Sequence, residues 1–205
     1  MKNTTKTVIA IILMSLISSC TWVGTVKNIR TFDERSKIST QDSFYLIYPK
    51  NGFEKKMFSF SANLQENPSS AKEVVSIFRS SLSENFGELS ISDKNIDLEE
   101  GFKTAKLKGS KYLIDINIAK WKDAFYAMCA PAQSRHNPDN TPVTFDELDL
   151  TIFVYDVQNK SLINKQRLEN KGCPIVLAGL IPIGKNSPSS RLESMIPDWL
   201  KNLRN

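Results

Sequence analysis

The feature that most constrains the fold is a pair of stretches in which apolar and polar residues alternate. In the first stretch Asp115 and Asn117 separate apolar residues, and the second repeats the pattern before a polar turn at 156–160. A period of two is typical of a β-strand with one buried and one solvated face. With a return strand at 161–170, the two stretches predict an antiparallel meander. The apolar positions are Tyr112, Ile114, Ile116 and Ile118, then Leu148, Leu150, Ile152 and Val154.

Apolar residues at helical spacing predict three helices around this meander. Ser70 and Glu73 have the spacing of a capping box, and Val74, Phe78 and Leu82 follow at intervals of four. The same criteria predict helices at 97–108 and 190–203, and short strands at 43–48, 56–61 and 88–92. This order of elements predicts an α/β two-layer domain, with one mixed, mostly antiparallel sheet and helices on one face.

The N-terminus has the layout of an export signal. Lys2 and Lys6 precede an apolar run at 8–17, which is shorter than the ~20 residues of a membrane-spanning helix. The run ends in Ile-Ser-Ser before Cys20, which is similar to the lipobox of bacterial lipoproteins. That resemblance implies cleavage after residue 19 and a lipid on the Cys20 thiol. The alternative is a secreted protein in which Cys20 is structural.

These features predict the domain organisation. We expect a signal peptide at 1–19, a lipidated tether at 20–41 and a single periplasmic α/β domain at 42–205. The tether segment is polar and aperiodic, and ~20 extended residues would reach about 65 Å. Position 21 is Thr rather than Asp. In enteric-type sorting this favours the outer membrane over the inner membrane, with the domain facing the periplasm.

The charge of the protein excludes one class of partner. The sequence has 27 Lys and Arg against 22 Asp and Glu, and removal of Lys2 and Lys6 leaves 25 against 22, or +3. The basic residues are scattered and form no long run. We therefore expect no nucleic-acid partner.

The two remaining cysteines, Cys129 and Cys173, are predicted to form a disulfide bond. Cysteines in the oxidising periplasm usually pair. The first and third strands of the predicted meander run in the same direction, so each would deliver the cysteine after it to the same end of the sheet. A bridge closing about 44 residues would contribute up to roughly 4 kcal/mol. The alternative is a reactive Cys129 with His136, the one histidine, as its base.

Aromatic residues indicate possible partner-binding surfaces. The long 122–147 loop carries Phe125, Tyr126 and Met128, which are residue types that anchor partners, although they could instead pack onto the sheet. On the sheet itself, Trp121, Phe153 and Tyr155 are predicted to share the solvated face. They would form a binding platform or be covered by the loop.

Three stretches together resemble a family of bacterial lipoproteins known as domain of unknown function 4823. They are the lipobox ending at Cys20, the strand at 112–116 that leads into Trp121-Lys122-Asp123, and the hairpin at 150–157. The protein departs from that family in the segment between 123 and 148 and in its cysteine pair. The family has no established activity, so the resemblance implies an anchor and a fold.

The resulting hypothesis is a non-enzymatic, membrane-anchored binding or assembly module of the cell envelope. Its partner would be an envelope protein or the cell wall. We predict no catalytic residues, metal site or cofactor, because nucleophile, base and ligand spacings are missing. The alternatives are an envelope hydrolase and a carrier of a small apolar ligand or lipid. The apolar segment at 174–183 would line the carrier's cavity.

Overall fold

A computed structural model describes most of the residues that follow the predicted signal. The residues described are 25–31, 38–55, 64–122, 146–172, 176–177, 181–182 and 187–204. Within them lie three helices and ten strands. The helices are α1 (Ser70–Asn85), α2 (Leu98–Leu107) and α3 (Pro188–Arg204). The strands are β1 (Thr25–Thr31), β2 (Phe44–Leu46), β3 (Phe53–Lys55), β4 (Leu64–Glu66), β5 (Leu89–Ile91), β6 (Tyr112–Lys122), β7 (Asp146–Asp156), β8 (Ser161–Gly172), β9 (Val176–Leu177) and β10 (Ile181–Pro182).

One mixed sheet organises the domain and confirms the predicted α/β class. Its strand order is β1-β8-β7-β6-β2-β5, and the β3–β4 hairpin joins β6 beside this path. The predicted meander is present, because β6, β7 and β8 pair antiparallel. Strand β2 lies between β5 and β6 and is parallel to both. Strands β9 and β10 form a separate two-stranded sheet.

The helices form because each presents an apolar stripe to the sheet. Helices α1 and α3 cover the same face, where Phe78 and Trp199 pack together in the main core at 5.2 Å between ring centroids. Helix α2 instead contributes Phe102 and Ala105 to a smaller core on the opposite face, against one end of the sheet, so the helices do not all lie on the one face that was predicted. The rest of that opposite face, here called the outer face, has no helix over it among the described residues. None of the described helices is long and apolar enough to cross a membrane.

Strand β1 corrects the prediction of a tether. Residues 20–41 were predicted to be aperiodic throughout, but Thr25–Thr31 pairs antiparallel with β8 at the edge of the sheet. The stretch has only two large apolar residues, Val26 and Ile29, so it lacks the alternation of a half-buried strand. An edge strand can be held by backbone hydrogen bonds to its neighbour without that alternation. The tether prediction is therefore wrong for this strand.

Candidate functional site

Two aromatic side chains of β7 lie on the outer face, and both are partly exposed. The rings of Phe153 and Tyr155 stack at 6.4 Å between centroids with an interplanar angle of 18°. Phe102 of α2 meets the Tyr155 ring edge-on at 5.6 Å. Phe153 is paired in register with Asp115 of β6 and with Lys165 of β8. We call Asp115, Phe153, Tyr155 and Lys165 the platform.

The sheet holds the platform in place. Successive side chains of a strand point to opposite faces, so the fully buried Ile152 and Val154 direct Phe153 and Tyr155 outward. The Nζ atom of Lys165 lies 5.2 Å from the centre of the Phe153 ring, within the range of a cation–π interaction. Sequence analysis placed both aromatic residues on this face, and they lie there. Their role in binding a partner stays a prediction.

Asp115 is a partly buried acidic residue of the platform, and its pKa is raised. Burial raises the pKa of its carboxyl group, and a backbone hydrogen bond from Ile116 acts in the opposite direction. Burial also raises the pKa of Tyr155, and the negative charge of Asp115 raises it further. Among the described residues, no Lys or Arg forms an ion pair with Asp115. Within this part of the protein the carboxylate is thus partly desolvated without a compensating cation.

This arrangement has a consequence for stability. Because its pKa is raised on folding, Asp115 binds its proton more tightly in the folded state than in the unfolded state. The stability of the fold therefore falls as the pH rises from the ordinary pKa of Asp through the folded value. Above its folded pKa, the ionised Asp115 destabilises the domain relative to its protonated form. Residues kept at such a cost are candidates for a binding role.

Trp121 does not belong to the platform, and its predicted position on the solvated face is wrong. The side chain is 1% exposed and lies in the main core. A β-bulge between Ile118 and Lys120 inserts one extra residue into β6 relative to β7. Because strand side chains alternate, one extra residue moves every later side chain to the other face. Trp121 is consequently opposite the buried Leu148.

An ion pair lies further along the outer face. Asp149 accepts two hydrogen bonds from the guanidinium group of Arg167, at 2.7 and 2.6 Å. This contact raises the pKa of Arg167. The Asp149 side chain is 9% exposed and that of Arg167 is 40% exposed. The buried carboxylate at this position is therefore paired, in contrast to Asp115.

Several predicted site residues lie outside the described residues. They are Cys20, Phe125, Tyr126, Met128, Cys129, His136 and Cys173. The apolar segment at 174–183 is described only at β9 and β10, which pair as a small hairpin.

Two surface clefts differ from the platform in their location and lining. One measures about 390 Å³ beside α2, with Tyr45 and Ser92 among its lining residues, and the other about 330 Å³ between α1 and α3. Neither is lined by a platform residue. Burial raises the pKa of Tyr45, and hydrogen bonds to Ser92 and Thr104 oppose that shift.

Within the described part of the protein, no three His, Cys, Asp or Glu residues are placed to hold a metal ion.

Comparison with known proteins establishes the fold alone. A structure of the PelC dodecamer from Paraburkholderia phytofirmans is 14% identical, with a TM-score of 0.57 over 89% of this chain and 98% of that chain. A second PelC dodecamer structure from that organism is 12% identical, with a TM-score of 0.55 over 89% and 99% of the two chains. Lipoprotein GNA1162 from Neisseria meningitidis is 8% identical, with a TM-score of 0.47 over 78% and 99%. No family model and no curated protein matches the sequence, so the resemblance to the domain of unknown function 4823 stays a hypothesis.

Proposed function

We propose that this protein is a lipid-anchored, non-enzymatic envelope lipoprotein whose domain binds a protein partner through the platform. The observation that carries the proposal is the stacked pair of Phe153 and Tyr155, both partly exposed, on the outer face of the sheet. Aromatic side chains whose conformations are already fixed lose little entropy on binding, and they dominate many protein interfaces. The two surface clefts described above are lined by other residues, so neither of them serves the platform as a small-ligand pocket.

The position of β1 supports an anchor close to the domain. Thr25 begins β1 and is 5 residues after Cys20, a length that spans at most about 18 Å. Thr25 is paired with Glu169, near the end of the sheet where β6 and β8 finish. A lipid on Cys20 would therefore hold this end of the sheet towards the membrane. The platform would then face the periplasm sideways, and the domain would stay close to the membrane because no long tether separates them.

Site-specific photo-crosslinking in cells tests the proposal. A photoreactive amino acid at Thr151, which lies on the outer face next to the platform, is expected to give a discrete adduct. A matched control places the same amino acid at Ser83, an exposed position on α1. Because binding depends on the rings, the Thr151 adduct is expected to disappear when Phe153 is also replaced with Ala. The products are resolved by electrophoresis and identified by mass spectrometry.

The adducts show whether the platform is the binding surface and whether the partner is another protein or a second copy of this one. An adduct that survives Phe153→Ala, or one formed equally from Ser83, would rule out the platform as the binding surface. A second candidate function is self-assembly, because both similar PelC structures are dodecamers. In that case the adduct would have twice the mass of the protein and would contain no other polypeptide.

We also propose the disulfide bond between Cys129 and Cys173. Strands β6 and β8 flank β7 and run in the same direction, and their C-terminal ends lie at the same end of the sheet. Cys173 directly follows the end of β8, and Cys129 is 7 residues after Lys122, the end of β6. Two strand spacings separate these ends, about 10 Å, which 7 residues can cross.

Reduction or the Cys129→Ser variant is expected to lower the melting temperature by several degrees, because the crosslink restricts the unfolded state. Differential scanning calorimetry of the oxidised, reduced and variant proteins measures this change. Equal melting temperatures in all three samples would show that no stabilising bridge exists.

A further inference from the structure

The Asp115 carboxylate marks one side of the platform as a place for a cation. Across the sheet, Asp115 of β6, Phe153 of β7 and Lys165 of β8 form one row in register. On the β8 side, the ammonium group of Lys165 already lies 5.2 Å from the centre of the Phe153 ring. On the β6 side, no described Lys or Arg forms an ion pair with Asp115. Within the described residues, the row therefore presents an aromatic ring next to a carboxylate that has no cation.

Three other acidic groups of the described residues are each paired with a cation. Asp149, on the same face of β7, is paired with the guanidinium group of Arg167. Glu99 of α2 is paired with Lys160, and Asp42 with Lys111. Asp115 is less accessible to solvent than a surface carboxylate, so water compensates its charge poorly. A cation brought by a ligand would restore that compensation.

We propose that the platform receives an arginine side chain of the partner protein, with its guanidinium group against the aromatic rings and paired with Asp115. This inference rests on the proposed function and specifies the chemistry of its partner. A guanidinium group is planar, stacks on aromatic faces and donates hydrogen bonds along its edge to a carboxylate at the same time. A lysine ammonium cannot do both with one flat group. At the platform the outer face has no helix over it among the described residues, which also suits a side chain that projects from a protein surface.

The test uses two small probes and the full lipidated protein in detergent micelles. N-acetylarginine methylamide supplies the guanidinium group, and the citrulline analogue has the same shape without the charge. Amide chemical shifts measured by nuclear magnetic resonance report binding at β6 and β7. The arginine probe is expected to bind at least about tenfold more tightly than the citrulline probe. The reason is that the citrulline probe cannot donate a charged hydrogen bond to Asp115.

Two variants separate recognition from folding. Asp115→Asn keeps the shape of the side chain and is expected to weaken binding of the arginine probe about tenfold. The same variant is expected to melt at a higher temperature than the wild type, because a desolvated charge is removed. Asp93→Asn makes the same change at an exposed position away from the platform and is expected to alter neither property.

The results can overturn this inference without overturning the proposed function. Equal affinity for the two probes, or full affinity in Asp115→Asn, would refute the arginine site. A lower melting temperature for Asp115→Asn would show that Asp115 supports the fold and is not held there for binding. If the Thr151 adduct still depended on Phe153 in any of these cases, the platform would remain the binding surface for a partner of different chemistry.

Discussion

Replacing Trp121 with alanine is expected to lower the free energy of unfolding by about 3–5 kcal/mol, the range for large aromatic residues deleted from a core. The side chain is 1% exposed, and the structure packs closely around it. A Cβ atom built at Gly52 would lie 3.1 Å from the Cβ atom of Trp121 and 2.4 Å from Ile118 Cγ2. Neighbours so close to one another cannot easily collapse into the cavity that the indole would leave. Urea denaturation followed by circular dichroism measures the change.

Phe153→Ala is the matched control, since it also removes an aromatic ring from the meander. Phe153 is partly exposed and stacks on Tyr155. Its removal is expected to cost less than that of Trp121, because a partly exposed ring returns less apolar surface to water and leaves no enclosed cavity. Similar losses in the two variants, or a larger loss in Phe153→Ala, would mean that the bulge in β6 does not direct Trp121 into the core.

Replacing Cys20 with alanine is expected to abolish membrane anchoring. The proposed anchor depends on a thiol at this position, and each buried methylene group of the attached acyl groups contributes about 0.8 kcal/mol to membrane binding. Wild-type protein from cells grown with radiolabelled palmitate is expected to carry label and to sediment with membranes. The Cys20→Ala protein is expected to carry none and to accumulate with its signal peptide uncleaved.

Two further variants serve as controls for the anchor. Thr21→Asp retains the thiol, so it is expected to keep the label but to move from the outer-membrane to the inner-membrane fraction. Cys129→Ala removes a different thiol and is expected to keep both label and location. Label that persists in Cys20→Ala, or is lost in Cys129→Ala, would place the lipid elsewhere and remove the basis for the envelope proposal.

The meander and the helices were predictable because local sequence carried their signals. In β6 and β7 every second residue is apolar, and in α1 apolar residues recur at intervals of four. Each spacing puts the apolar residues on one face of the element, which must be buried. Asp97 likewise begins α2 by accepting a hydrogen bond from the backbone N–H of Glu100, at 2.8 Å. These interactions span only a few residues, so they can be read along the sequence.

Strand β8 shows where local sequence was insufficient. Asn164, Gln166 and Asn170 are buried on the core side, while Lys165 and Arg167 point to the outer face. Both faces of the strand are polar, so its composition does not state which one is buried. Pairing with β7 decides this, because Leu168 is opposite the buried Leu150. The lack of a polarity signal also hid β1, which pairs with β8.

Local patterns of residues were enough to predict the α/β class, the meander with its three helices and the outward direction of Phe153 and Tyr155. Assembly of the sheet was needed to place Trp121 in the core, to add β1 to the sheet and to leave Asp115 beside the rings without a cation from the described residues. The physical reason is that alternation is a property of one strand. Bulges, edge pairing and the compensation of a charge depend on the neighbouring strand, whose register is set only when the sheet assembles.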